Sequence, residues 1–498
     1  MTLLTGLLLA ATFTRAMQPV NSLDPILSQS AYDSHAVQLI YETPLTIDYT
    51  ARPYRLAPGL CELPEVSADG LVYTFRLVPD APLGAEDIRR ALERLRDVDN
   101  THGSCGKWTM KAVREIRVPD PRTLTVELSV RQHVFPWLMA MSYAAVADAK
   151  GEGTGPYRLK SWRRNHEMVF ERNPDWRGWA GNPHPFDTVR YLVVDDPSTQ
   201  WLMFLRGELD CLDAIARDNW GAVMQADGTL DPRLAEQGVR LYGGHAALEM
   251  RYIGMNMRDP VLGRNRKLRQ ALSCAFDFPT WSRFYNNSIG RAGGPVPSCA
   301  DGCLDEPSPY RFNLRKARRL LAEAGYLGGT DPQTGRPLAL TLSLGRPTQD
   351  SREAAELLAS FYARIGVRLE LRFLTWPAFM NAVNKGDVQL YQMAWVGDYP
   401  DAENFLQLFH SKNKSPGPNH SDYDNPDYDA AYDAAMAAET AEAREAQWRR
   451  CQEILREDCP WIFTHVTKSY SLVRSRVKNF VPSDFPYGYE KFLRTDEK

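Results

Sequence analysis

The sequence predicts an α/β protein with more than one core, its mixed β-sheets flanked by helices. Three observations carry this expectation. Strand-like LALTLSLG (338–345) and VRLELRFL (367–374) bracket a helical stretch from about Ser351 to Ile365, a β–α–β order that implies neighbouring parallel strands. The chain has 498 residues, and single cores stop growing at roughly 250–300 residues, so two or three domains are expected. Apolar residues make up 44% and charged residues 24%, the balance of a globular chain rather than a disordered or fibrous one. With 59 basic and 62 acidic side chains the net charge is −3, which excludes the basic field that non-specific nucleic-acid binding needs.

Taken in order, the first element is the apolar run Leu3–Phe13. It is too short to span a bilayer, which takes about 20 residues. It has the length of a secretory h-region, and Thr14-Arg15-Ala16 offers a small residue for cleavage, although no basic residue precedes the run. Residues 1–16 are therefore expected to be a leader and the protein to be exported; the bland alternative is an apolar tail. Cys61 is the first cysteine, so a lipid anchor is not expected.

Asp69-Gly70 then reads as a hairpin turn before a strand in which Leu71, Tyr73, Phe75 and Leu77 share a face. Ile88, Ala91, Leu92 and Leu95 recur at helical spacing, with acids in the first turn. Strands are expected at 123–129, in YRLKSW and MVFER, at 188–196 and at 250–257. Helices are expected in STQWLMFLRGELD, around RKLRQALSCAFD, and in LRKARRLLAEAG ending at Gly325. One long Ala-rich helical region covers roughly 428–457, and SYSLVRS reads as a returning strand.

Eight cysteines are too sparse for a disulfide scaffold. Cys299 and Cys303 flank a turn, where a local disulfide suits an exported protein, and Cys274 reads as a buried thiol. With no CxxC, HxxH or HxxxH, neither a metal nor another cofactor is expected. The signatures GxSxG, HExxH, Walker A and GxGxxG are absent too. Asp398, Asp401 and Glu403 could imitate a glycosidase carboxylate pair, which keeps a hydrolase as a remote alternative, but acids this close in sequence usually serve turns or solvation.

Several blocks, in order along the chain, resemble one family, the extracytoplasmic solute-binding proteins of ABC transporters of the oligopeptide and dipeptide type (family 5). NSLDPILSQ (21–29) with YET (41–43) is similar to the family's opening strand and helix, and LAPGLCELPEVSADGLVYTFRL (56–77) to its PGLAxSWxxSxDGxxYTFxL block. GTGPYRLKSW (153–162), ERNPDW (171–176), RGELD (206–210), LRQALSCAFD (268–277) and KARRLLAEAGY (316–326) follow in register. The most specific block is MAWVGDYPDAENFL (393–406), which resembles the family's WxxDYxDPxNFL loop. Two departures are VPDAPLG between Leu77 and Ala85, in place of a Trp/His-Ser-Asp-Gly loop, and a short segment before GTGPY.

The resemblance implies a two-lobed periplasmic-binding-protein-like fold with a hinge. Lobe I would comprise 17–45, 151–245 and 470–498, its accessory subdomain 46–150, and lobe II 246–469. The lobes would close on a peptide in their cleft, and a periplasmic, monomeric carrier would deliver it to a membrane permease and its ATPase. A generic peptide binder must satisfy an ammonium, by a charge-assisted bond, and an extended backbone, by an open strand edge. By resemblance Asp398 would hold the ammonium; its bland alternative is a helix cap. Ala394, Trp395 and Val396 would offer backbone groups on one side of the ligand, and Gln29, Ser30 and Ala31 on the other. Tyr399 would line a side-chain pocket or merely pack, and Trp376 is better read as a core or lobe-packing residue. Some peptide binders carry an Arg where this chain has Gln392, and Arg346 and Lys385 are nearby cations for a ligand carboxylate. The family also includes members for nickel, oligosaccharides and haem-like compounds, so a non-peptide solute is the alternative ligand.

Overall fold

The computed structural model describes residues 11–28, 30–97, 110–304, 306–415, 417–485 and 488–496. Gln29, Cys105 and residues 1–10 of the expected leader lie outside these. The chain divides into two compact units, Met1–Gly243 with Ser469–Lys498, and Gly244–Lys468. Both mix helices with strands. No helix among the described residues is long and apolar enough to cross a membrane.

In the first unit, β1 (Thr12–Met17) runs parallel to a strand at Thr188–Val193 on one side and to Cys211–Leu212 on the other. Phe13 and Met17 are buried in its core. Arg15 is buried too, bonded to Asp213 and, at 3.0 Å, to Glu490, which also accepts from the Tyr191 hydroxyl at 2.9 Å. Residues 12–16, within the stretch expected as a leader, thus form part of a strand with neighbours on both sides. Helix α1 (Ala31–Ile40) follows, started by a reciprocal box in which Ser30 Oγ accepts from the Asp33 N–H and Asp33 from the Ser30 N–H.

The Asp69-Gly70 turn is formed with Gly70 at φ +70°, and it joins β2 (Glu65–Val66) to β3 (Val72–Arg76). Tyr73, Phe75 and Leu77 are buried, as are Ile88, Leu92 and Leu95 of α2 (Ala85–Asp97). β4 (Val113–Asp120) and β5 (Thr123–Leu128) complete a four-stranded antiparallel sheet in the order β2-β3-β5-β4. The larger sheet of this unit continues through β6 (Tyr157–Arg163), β7 (Glu167–Arg172), β8 (Thr188–Val193) and β9 (Cys211–Leu212), with α3 at Pro197–Leu205. Its order is β6-β7-β8-β1-β9, closed by residues 472–473 from the far end of the chain. β10 (Val239–Ala246) then carries the chain into the second unit.

There, β11 (Glu249–Met255), α4 (Arg266–Ala275), β12 (Ile289–Gly290) and α5 (Leu314–Glu323) come first. Gly325, at φ +93°, sits just past the α5 cap as its pattern predicts. The expected β–α–β unit is β13 (Ala339–Leu344), α6 (Gln349–Ala363) and β14 (Arg368–Phe373), with the two strands parallel. α7 (Trp376–Lys385) leads into β15 (Leu390–Val396), which pairs parallel with β13 and antiparallel with β11. The helical region expected over roughly 428–457 comprises two helices, α9 (Pro426–Ala437) and α10 (Ala441–Asp458), after a short α8 (Ala402–Leu406). Thr440 breaks it by capping α10, its Oγ1 accepting from the Ala443 N–H at 3.2 Å. β16 (Trp461–Arg474) lies beside β11 and returns the chain to the first unit. Cys274 is fully buried in the core between α4 and the sheet, and burial pushes its thiol up to about 11.

Candidate ligand-binding site

The C-terminal half of β15 is an open strand edge. The Gly397 N–H bonds Leu248 O at 2.7 Å, so in the antiparallel register with β11 the pairs Ala394↔Arg251 and Val396↔Glu249 are the non-hydrogen-bonded ones. Ala394 and Val396 thus aim their N–H and C=O groups away from β11. On that side the pairing with β13 stops at Ser343↔Tyr391, and these peptide groups have no strand partner among the described residues. Val396 also leaves its side chain 56% exposed. Gly397 ends the strand where a Cβ would come within 2.7 Å of the Leu248 side chain and 2.9 Å of the Phe405 ring.

Asp398 follows at once, and Asn404, 1% exposed, fixes it. Asn404 Oδ1 accepts from the Asp398 N–H at 3.1 Å and from Trp395 Nε1 at 2.9 Å, while its Nδ2 donates to Asp398 Oδ2 at 3.3 Å. One buried amide therefore orients the acid and the indole together. Burial pushes the Asp398 carboxyl above the ordinary carboxylate range, and the Asn404 bond opposes that shift. Asp398 has no cationic partner among the described residues. It is also not a helix cap, because Asp401 caps α8 and accepts from the Glu403 N–H at 2.8 Å.

The other two acids of the loop are engaged elsewhere. Asp401 forms a two-pronged pair with Arg444, at 2.8 and 2.9 Å. Glu403 accepts from the Tyr399 hydroxyl and, at 2.7 Å, from that of Tyr432, and burial pushes its carboxyl up. Tyr399 is itself buried on this bond. A neighbouring turn braces the loop: the Asp301 N–H bonds Pro400 O at 2.9 Å, and the Ala402 N–H bonds Asp301 O at 2.8 Å. Gln452 of α10 clamps that turn in turn, accepting from the Leu304 N–H and donating to Gly302 O.

Trp376 is not in a core: its side chain is 50% exposed. It packs on Gly345, where a Cβ would lie 2.8 Å from the indole. Gly345 directly follows β13, which runs parallel to β15, so Arg346 lies at the end of the sheet where β15 finishes. Arg346 is exposed at this end of the sheet. Half-buried Gln392 faces the same side of β15 as Ala394.

Of the expected residues, Ala394, Trp395, Val396 and Asp398 come together in the second unit. Ser30 and Ala31 stand at the head of α1 in the first, Ser30 as its cap and Ala31 exposed. Beside them the hydroxyls of Ser28, Ser34 and Ser142 form a triangle of 2.9–3.2 Å contacts that the sequence did not announce. Asn404 was missed as well; its only trace is the Asn of the NFL segment.

Residues 55–443 match the family described as bacterial extracellular solute-binding proteins, family 5. The chain is 24% identical to heme-binding protein A of Haemophilus influenzae, over 88% of this chain and 83% of that one. It is 23% identical to the dipeptide-binding protein of Escherichia coli, over 91% and 88%. Among solved structures it is similar to the periplasmic binding protein DppA of Helicobacter pylori in complex with the peptide STSA, with a TM-score of 0.79, 19% identity and 98% of both chains covered.

Proposed function

Because the chain belongs to the bacterial extracellular solute-binding proteins of family 5, we propose that it is the substrate-binding component of an ABC importer and captures peptides. The observation that carries this reading is Asp398, a part-buried carboxylate with only a neutral amide to hold it, at the end of an open strand edge. A buried charge without a counter-charge is costly, and a ligand ammonium supplies the missing partner through a charge-assisted bond. The free peptide groups of Ala394 and Val396 suit the backbone of an extended ligand, added as one more strand. Trp376 offers an apolar surface at the same end, and Arg346 a cation for the carboxylate of a short peptide.

No covalent step belongs to this reading. Asp401 and Glu403, the carboxylates that could have joined Asp398 in hydrolysis, are bound to Arg444 and to two tyrosines. The bound peptide passes to a membrane permease and its ATPase, and the protein works as an exported monomer outside the cytoplasmic membrane.

The test is native mass spectrometry of the purified protein, followed by calorimetric titration with a tripeptide and its N-acetylated counterpart. A ladder of co-purified peptide masses, with tight binding of the free tripeptide only, is expected. A single haem, sugar or metal mass, with no heat from either peptide, would replace peptide by a non-peptide solute.

A further inference from the structure

We propose that the second unit carries another binding site, a cleft that takes a small oxyanion between Arg291 and Arg311. The cleft is built from residues other than those of the candidate peptide site. Ser273 of α4, the loop Pro307–Phe312, Arg291 just after β12, and Ile462–Thr464 of β16 line it. Its free space of about 30 Å³ exceeds the 10–15 Å³ that one water needs and suits a group of a few atoms.

Its charge is one-sided. The Arg291 guanidinium lies 4.6 Å over the Phe278 ring, which holds it in place without neutralising it. Among the described residues neither Arg291 nor Arg311 has a carboxylate partner, and neither guanidinium donates to a protein acceptor. Among the described residues the neighbouring acids Asp277, Glu306 and Glu457 are committed, to Arg364 at 2.7 Å, to Arg449 at 2.9 Å and to the Tyr310 hydroxyl at 2.8 Å. Partial desolvation at the cleft, and then repulsion from Arg311, holds Arg291 below its ordinary range. Guanidinium forks match oxyanions in pairs of parallel bonds, and Ser273 and Ser308 are among the residues of the lining.

The experiment is calorimetric titration of the full-length protein with phosphate, sulfate and acetate, each at one ionic strength set with sodium chloride. Saturable one-to-one binding is expected, weakened at least tenfold in Arg291→Gln and in Arg311→Gln. Strongest binding of phosphate or sulfate names a tetrahedral oxyanion, and strongest binding of acetate a carboxylate. Both substitutions are at exposed side chains, and tripeptide affinity should stay unchanged in both. Heat no greater than the chloride blank, or binding retained in the double variant, overturns the proposal.

Discussion

Replacing Asp398 by Asn changes its charge at nearly constant shape. Asn404 Nδ2 can donate to the new side-chain oxygen as it does to Asp398 Oδ2, and the bonds of Asn404 to Trp395 Nε1 and to the backbone of residue 398 need not move. What is lost is the negative charge facing a ligand ammonium. A hydrogen bond to a charged group contributes about 1.5–3 kcal/mol, or roughly 10- to 150-fold in dissociation constant. Titration calorimetry with a free tripeptide should show a loss of that size, and the N-acetylated peptide, already weak, should lose nothing more. The apo protein should change in the opposite direction. Burial raises the folded-state pKa of Asp398, so the folded state holds this proton more tightly than the unfolded chain does. Above the unfolded pKa the ionised group therefore costs stability. Asp398→Asn removes that cost, so the variant should melt at or above the wild type at neutral pH, the gap closing as pH falls through the carboxylate range. Equal losses for both peptides, or an unchanged affinity for the free one, would refute the assignment of Asp398.

The same shift sets the pH dependence of capture: affinity for the free tripeptide should fall on acidification through a midpoint above the ordinary carboxylate range, as a titration series from pH 4 to 8 would record. Asn404→Ala leaves Trp395 Nε1 and the Asp398 N–H without their acceptor, each orphaned group costing about 1–3 kcal/mol; urea unfolding measures the total, and the binding midpoint should move further up. Asp401→Ala strips Arg444 of its two-pronged partner and α8 of its cap, so a stability loss of about 3–5 kcal/mol is expected from urea melts. Trp376→Ala, at a half-exposed position, should leave unfolding within about 0.5 kcal/mol of wild type while weakening tripeptide binding.

Where a physical period dominates, the elements were readable in the residues. β13, α6 and β14 follow a change from strand to helical spacing and back, and the Asp69-Gly70 hairpin follows from a glycine that tolerates positive φ. Thr440 was overlooked because alanines continue a helical composition on both sides of it, and a cap is one side-chain bond that no periodicity records. Within the candidate site, Asp398 and the strand before it were legible through a local motif. Asn404 was not, because its importance lies in three bonds made by one buried amide. Trp376 failed for the opposite reason: indoles are usually buried, and only the packing on Gly345 shows this one lying on the surface at the sheet's end.

The placement of β1 has a bearing on the order in which the chain acquires its shape. Gly244–Lys468 is one continuous stretch and can condense as soon as it has been made. The first unit has to wait. Its sheet needs residues 12–17 beside 188–193 and 211–212, then 472–473, and Arg15 reaches its buried partner Glu490 only when the chain is nearly complete. Contacts across so long a loop form late, because closure entropy is paid before they return anything. Until the last thirty or so residues arrive, the larger sheet of the first unit therefore stays incomplete.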